Sequence, residues 1–574
     1  MTTGANRAGP WRNRPHGALI TASLLLGFFT LLLSVIDTDT LPRYYFVHQD
    51  RWISAYFAVV LGLLAFFRGA PLSGLSPPRP REIALAAFFV VLVSYLGHHL
   101  VLSGYPLTRD ELMAEFDAEI FASGELSAGL APQWRDYVVA MAPHFRLPIH
   151  DNAAWVSAYL PMNAMLRAGF GSIFDPALLN PILAGIGLVA LCDAAKRLFP
   201  ENGAAQWVVL GGYCLSAQVL LTGMTSYAMT GHLATSSVWL SLFLRDTRWS
   251  HVGAMAVGVL AIGLHQIAFH PLFAGPIILT LLLHRRWHLF AAYALTYGAA
   301  ILGFTSYHSW IVGGYAIQGS TSSSEGGTAF FDFLRNQVLP LLRMPSISSF
   351  LFTEWNLLRF LAFMPAFVLP LLLLSGRALK SNRGISLPLL AGLLITMGLL
   401  FFVMPYQGHG WGFRYLHGLL PNVLLLCAYG YASLKNDDDS EANALPLRGM
   451  ALATLPAIAF LMLSSQKFVT PYAEASDVIS RQDSDFVLVD TTSGDFAVDL
   501  VRNDPYLRNR PLVFDPRYLT RPNIEELCAR GTITMLRKQD LSLPAIDPES
   551  SDKSDFPALY EWLSTEECYR NPAM

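Results

Sequence analysis

The sequence predicts an all-α polytopic membrane protein, with amphipathic helices in its outer loops and a small C-terminal α/β domain. Three observations predict it. Of 574 residues, 53% are apolar and only 14% are charged, against roughly 25% in ordinary soluble domains. The charge is unevenly spread: residues 466–574 hold 31 of the 81 Asp, Glu, Lys and Arg side chains. The first 465 residues are thus about 11% charged and break into long apolar runs. A water-soluble enzyme of this length is excluded, as are disordered and fibrous chains. A net charge of −3 gives no basic field for gripping nucleic acid.

A helix needs about 20 mostly apolar residues to cross ~30 Å of hydrocarbon. About thirteen stretches are candidates: 17–36, 52–67, 83–103, 178–197, 206–223, 231–244, 252–266, 271–284, 288–306, 355–375, 385–404, 415–434 and 449–465. Arg7, Arg12 and Arg14 precede the first run in the manner of a secretory signal. No small-residue cleavage site follows, and the run is long enough to span, so it reads as a retained first helix. Basic residues set the orientation. With the N-terminus cytoplasmic, the short inner connectors carry 17 of them, including the helix-end pairs Arg245/Arg248 and Arg285/Arg286. The much longer outer segments before residue 466 carry fewer. An odd number of spans then places the C-terminal portion outside.

The expected division is a transmembrane domain over 1–465, with outer loops 104–177 and 307–354, followed by an extracytoplasmic domain over 466–574. From Asp110 to about Gly124, Leu112, Phe116, Ile120 and Phe121 are apolar at spacings of three and four, with Glu115 and Glu119 opposite. That pattern predicts an amphipathic helix along the membrane surface. A second such stretch runs from Trp155 to Phe170. Residues 318–328, QGSTSSSEGGT, read as a mobile loop. In the C-terminal part DFVLVDTT (485–492), RPLVFD (510–515) and TITML (532–536) read as strands, and NIEELCAR and FPALYEWL as helices. Cys192, Cys214 and Cys427 fall within spans and read as packing residues. Cys528 and Cys568 lie outside, where a disulfide between them is expected.

Asp110 and Glu111 sit just beyond the third span. Two adjacent carboxylates beside lipid headgroups are costly unless hydrated, paired or used. They have two readings: a catalytic pair, or acidic capping of the amphipathic helix. His232, His265, His270, His409 and His417 fall near outer ends of spans, where each is either a packing residue or a phosphate ligand. Arg414, followed by Tyr415 in GHGWGFRYL, has no acidic neighbour in sequence, so its anionic partner must come from elsewhere. No Walker-type GxxxxGK[ST] points to an ATP-driven pump, and no HExxH, CxxC or GxSxG carries metal, redox or acyl chemistry.

Taken in order, these motifs resemble the GT-C membrane glycosyltransferases, the superfamily of the protein O-mannosyltransferases, aminoarabinose transferases and bacterial galacturonosyltransferase-like proteins. RDELMAEFDAEIFASGEL (109–126) and WVSAYLPMNAMLRAGFG (155–171) carry the resemblance. Gly231-His232 and the element from Arg414-Tyr415 to Pro421 add to it, so the likeness covers most of residues 100–435. Ala158, Leu160 and Met162 depart from the Gln, Pro and Gly of relatives, and His270-Pro271 replaces Arg-Pro.

The resemblance implies sugar transfer from a polyprenyl-phosphate donor to an acceptor hydroxyl at the outer face of a bacterial cytoplasmic membrane, with inversion. Asp110 would be the general base and Glu111 its support. Arg414, Tyr415, His232, His265, His270, His409 and Tyr159 would bind substrate. The implied partners are the lipid-linked donor, a glycan, lipid or protein acceptor, and membrane lipid. No cofactor is required, although two carboxylates and a histidine could hold a divalent metal weakly. Two other classes fit the same features: a secondary transporter or lipid-linked glycan flippase, and a polysaccharide polymerase or ligase.

Overall fold

The computed structural model describes residues 15–67, 69, 75–141, 145–315, 344–381, 384–436, 445–492, 494–544 and 556–573. The predicted mobile loop at 318–328, the acidic run at 437–439, and Arg7, Arg12, Arg14, Arg68 and Arg383 lie outside the described residues.

The protein is a mostly helical, multi-pass membrane protein with a small C-terminal α/β part. Each of the thirteen apolar stretches contains a helix, but their lengths separate them. Among the described residues, six helices are long and apolar enough to cross a membrane: His16–Ser34, Pro80–Leu100, Pro176–Leu198, Trp287–Gly313, Ser386–Val403 and Leu447–Ser480. Two bent pairs raise the number to eight: Gly203–Cys214 with Ala217–Gly223, bent by 46°, and Ile347–Phe363 with Val368–Leu379, bent by 102°. The second break falls at Met364, extended at ψ 157°, as expected of a residue before proline.

Five helices fall short of the expectation of thirteen spans. Arg51–Leu64, Met229–Arg245, Arg248–Ile262, Phe269–Leu283 and Leu420–Ala432 have 13 to 17 residues. At 1.5 Å per residue they reach about 20–26 Å, less than the hydrocarbon thickness. Residues 420–430 are buried without exception, as are most of 229–241. Leu420–Ala432 and Met229–Arg245 are apolar because protein surrounds them, and hydropathy alone does not separate that case from lipid exposure.

The predicted surface helix forms as Arg109–Ala122, and its apolar face is covered by protein. Its apolar residues Met113, Phe116 and Ile120 join one core with Trp155, Phe486 and Phe514. The apolar face meets the C-terminal part of the same chain. The second amphipathic stretch is divided. Ala154–Trp155 pairs antiparallel with Ala128–Gly129, and helix begins only after Pro161, as Met162–Gly171.

In the C-terminal part Phe486–Val489 is the middle strand of a parallel sheet, flanked by Leu512–Phe514 and Ile533–Leu536. All three strands are buried along their length, which a parallel sheet covered on both faces requires. Helices Arg521–Arg530 and Pro557–Leu563 accompany it. Cys528 and Cys568 form the expected disulfide, with Cα atoms 5.2 Å apart. The chain reaches this part on one unbroken helix, Leu447–Ser480. Arg109 fastens the two parts together: its Nε donates to Asp499 at 2.9 Å and its Nη2 to the Val498 carbonyl at 2.7 Å, both side chains being buried. That clamp fixes the first turn of the surface helix, and with it the neighbouring Asp110.

Candidate functional site

Thr108 and Glu111 build the start of the surface helix. The Glu111 carboxylate accepts from the Thr108 backbone N–H at 3.4 Å, the reciprocal cap that a T-x-x-E sequence favours. Glu111 is 2% exposed and faces away from the cavity that Asp110 lines. Burial, then the neighbouring Glu115, push its carboxyl up to about 8. The two acids that are adjacent in sequence therefore part company in space.

Asp110 meets Arg414 across 304 positions of sequence. Arg414 Nη1 donates to Asp110 Oδ2, and the Tyr159 hydroxyl donates to Oδ1. The pair is largely sequestered, with side chains 18% and 11% exposed. Burial alone would raise the Asp110 carboxyl. Arg414, His265 and the Tyr159 hydrogen bond outweigh burial and hold it below the usual carboxylate range. Arg414 also donates from Nη2 to the Tyr415 hydroxyl at 3.1 Å, while its Nε is buried with no hydrogen-bond partner among the described residues. The guanidinium lies 5.0 Å from the Tyr415 ring centroid and 5.8 Å from that of Tyr227.

Two cavities adjoin the pair. One, narrow at about 20 Å³, is lined by Asp110, Asp117, Tyr159, Asn163 and His265 among others. The other, narrower still at about 10 Å³, is lined by Arg414 with His232, Ser236, Phe269 and Tyr415. Tyr159 stacks on His265 with ring centroids 5.2 Å apart. Six of the residues singled out in the sequence thus gather here: Asp110, Tyr159, His232, His265, Arg414 and Tyr415.

Three of the five histidines line neither cavity; one, His417, is fully buried with its Nδ1 3.5 Å from the Gln218 amide nitrogen. His270 is 1% exposed in an aromatic cluster, its Nε2 3.3 Å from the Tyr297 hydroxyl and its ring against Trp239. His409 bonds the Tyr45 hydroxyl and stacks on Phe468 at 5.7 Å, joining the last long helix to the loop before Arg414. Among the described residues no group of three or more His, Cys, Asp or Glu side chains is arranged to hold a metal ion.

Two glutamines hold the Arg414 loop, and the sequence reading passed over both. Gln218 accepts from the Phe413 N–H at 3.2 Å and donates to the Phe413 carbonyl at 2.9 Å. Gln407 donates to the Gly412 carbonyl and accepts from the Arg414 N–H, both at 3.0 Å. Gly412 has φ +74°, and a Cβ there would lie 2.4 Å from Gln218 Oε1. The glycines of GHGWG therefore allow the loop to turn tightly against Gln218. The available signal was a fully polar amide inside an otherwise apolar run.

Replacing Tyr159 with phenylalanine removes a hydrogen bond that favours ionised Asp110, so the carboxyl moves upward. A base that works only when ionised loses activity below its pKa. With Asp110 as the general base that the sequence resemblance implies, the acid limb of the activity–pH profile is expected to shift to higher pH in Tyr159→Phe. An unshifted limb would remove Tyr159 from the control of Asp110.

No protein-family model matches the chain, and no curated protein matches it in sequence. Among solved structures, the chain is similar to ArnT from Cupriavidus metallidurans bound to undecaprenyl phosphate, with a TM-score of 0.48, 14% identity, and coverage of 84% of this chain and 94% of that one. It is likewise similar to the same protein in its apo state, with a TM-score of 0.45, 13% identity and the same coverage.

Proposed function

We propose that the chain is a membrane glycosyltransferase that moves a sugar from a polyprenyl-phosphate donor to an acceptor hydroxyl. One observation carries the reading: a buried carboxylate, held ionised, touches a buried guanidinium, and cavities adjoin both groups. A carboxylate can take the proton of an attacking hydroxyl. A guanidinium, with five fixed donors and a permanent charge, suits a departing phosphate. Donor phosphate arriving at Arg414 would compete with Asp110 for the guanidinium and release the carboxylate toward the acceptor. Glu111 in this reading supports the first turn of the helix and does not touch substrate. The basic residues of the predicted inner connectors favour an N-terminus in the cytoplasm, and a site on the outer face is part of the proposal.

The test is mass spectrometry of envelope glycans and lipids from cells with and without the protein. The expected result is loss of a single-sugar increment from one glycan or lipid class. Identical profiles, with a polyprenyl-linked sugar accumulating on one leaflet, would favour a flippase, and loss of chain length would favour a polymerase.

A further inference from the structure

One short segment of the C-terminal part, residues 496–502, reaches toward both members of the Asp110–Arg414 pair. On the carboxylate side it grips the chain entering the surface helix, of which Arg109 is the first residue and Asp110 the second. Asp499 and the Val498 carbonyl hold the Arg109 guanidinium. Arg502 donates from Nη2 to the Pro106 carbonyl and from Nε to the Asp499 carbonyl at 2.8 Å. Its guanidinium lies 3.8 Å from the Tyr105 ring centroid. On the guanidinium side the same segment meets the GHGWG loop. Phe496 stands edge-on to His409 with ring centroids 5.6 Å apart, and packs against Phe468 and Tyr472. It does so from a left-handed backbone, φ +59°, which a bulky residue holds only where its surroundings fix it. His409 lies between Gly408 and Gly410, and a Cβ at Gly410 would sit 3.0 Å from Arg414 Cδ. The loop that Phe496 steadies is therefore the surface on which the Arg414 side chain rests.

Two reacting groups carried by distant stretches of chain work only if a supporting framework holds them in register. Resting on the transferase reading, we infer that residues 496–502 are positioning residues for it. Asp499 acting through Arg109, and Phe496 acting through His409, together set the approach of base and guanidinium. The C-terminal part is then a working component of the site. His409, which lines neither cavity, gains a place as the ring through which Phe496 steadies the loop. Electrostatic sign separates this role from a plain charge effect. Neutralising Asp499 removes a negative charge, which by itself favours ionised Asp110 and lowers its pKa. Loosening Asp110 from Arg414 does the reverse. The titratable groups around Asp110 are Arg414, Tyr159, His265, Tyr227, His409 and, on its own helix, Asp117. None of them is altered by a substitution at 496 or 499.

The test compares wild type, Asp499→Asn and Phe496→Leu in nanodiscs, with Asp499→Glu, which keeps the charge, as the substitute if Asp499→Asn does not fold. Hydrogen–deuterium exchange reads residues 105–112 and 407–414, where the Glu111, Leu112, Phe413 and Arg414 amides are hydrogen-bonded. Each substitution is expected to speed exchange several-fold in both stretches, the one it touches and the one it does not, while the spans stay protected. With a polyprenyl-phosphate sugar as donor, the acid limb of the activity–pH profile is expected to move to higher pH in both Asp499→Asn and Phe496→Leu. Exchange that rises only beside the substitution, or activity lost with an unmoved or lowered acid limb, would overturn the proposal. Coupled loosening of both stretches in a protein whose wild type moves no sugar would instead sink the transferase reading and leave the mechanical link standing.

Discussion

Cells carrying Asp110→Asn at normal protein level are expected to show the glycan defect of cells without the protein, because transfer falls by about 10²–10⁴-fold, the range a general base contributes. The substitution keeps the shape of the side chain and leaves an oxygen for the Tyr159 hydroxyl, but it cannot take a proton from the acceptor. It also frees Arg414 from its internal anion. On the proposed function, binding of a polyprenyl phosphate to the purified variant should accordingly be at least as tight as to the wild type. Lost transfer with retained or tighter lipid-phosphate binding is the combined signature. Lost transfer with lost binding would mean that Asp110 only supports the fold around Arg414.

Arg414→Gln is expected to fail in the opposite way. On the proposed function the donor phosphate loses its charged partner, so binding of a polyprenyl phosphate should weaken and transfer should fall by about 10²–10³-fold, the usual cost of removing one such donor. Breaking a buried ion pair on one side is also destabilising, by about 3–5 kcal/mol at most, since Asp110 can take up a proton. In the wild type the depressed Asp110 pKa contributes stability above the unfolded carboxylate range, and that contribution disappears as pH falls through the folded pKa. Without Arg414 that acid-side loss should be absent from the pH dependence of thermal unfolding. A variant that unfolds as the wild type does and binds lipid phosphate equally well would show that Arg414 serves neither purpose.

Parts of this site were legible in the sequence for definite reasons. Asp110 stood out because acids beside lipid are expensive, and Arg414 because no anion lies near it in the chain. Their contact was not derivable, since 304 positions separate them and only the packed helices bring the two ends together. Glu111 carried its second meaning openly, as the last residue of a T-x-x-E cap. His270 and His409 were indistinguishable from His232 and His265 by position alone. What separates them is whether aromatic rings or a cavity surround the imidazole, a property of tertiary packing. Asp117 was hidden among the charges of an amphipathic helix. The periodicity that assigned Glu115 and Glu119 to the polar face did not reveal that Asp117 turns inward with Ala114.

The fold shows the same limit. Long spans such as Pro80–Leu100 and Ser386–Val403 are set by hydropathy. Leu420–Ala432 is as apolar as a span but is enclosed by protein, so composition overstated the crossings. The strands of the C-terminal part were visible as short apolar runs, whereas the core they share with Met113, Phe116 and Trp155 joins segments more than 300 residues apart.

The most direct measurement follows label from an extracted polyprenyl-phosphate sugar in vesicles containing purified protein and the cell's own envelope lipids. Wild type should move the label out of the lipid-phosphate pool into a new product, and a correctly folded Asp110→Asn protein should leave it where it began. Equal movement of label by both proteins would contradict a reaction centred on the Asp110–Arg414 pair.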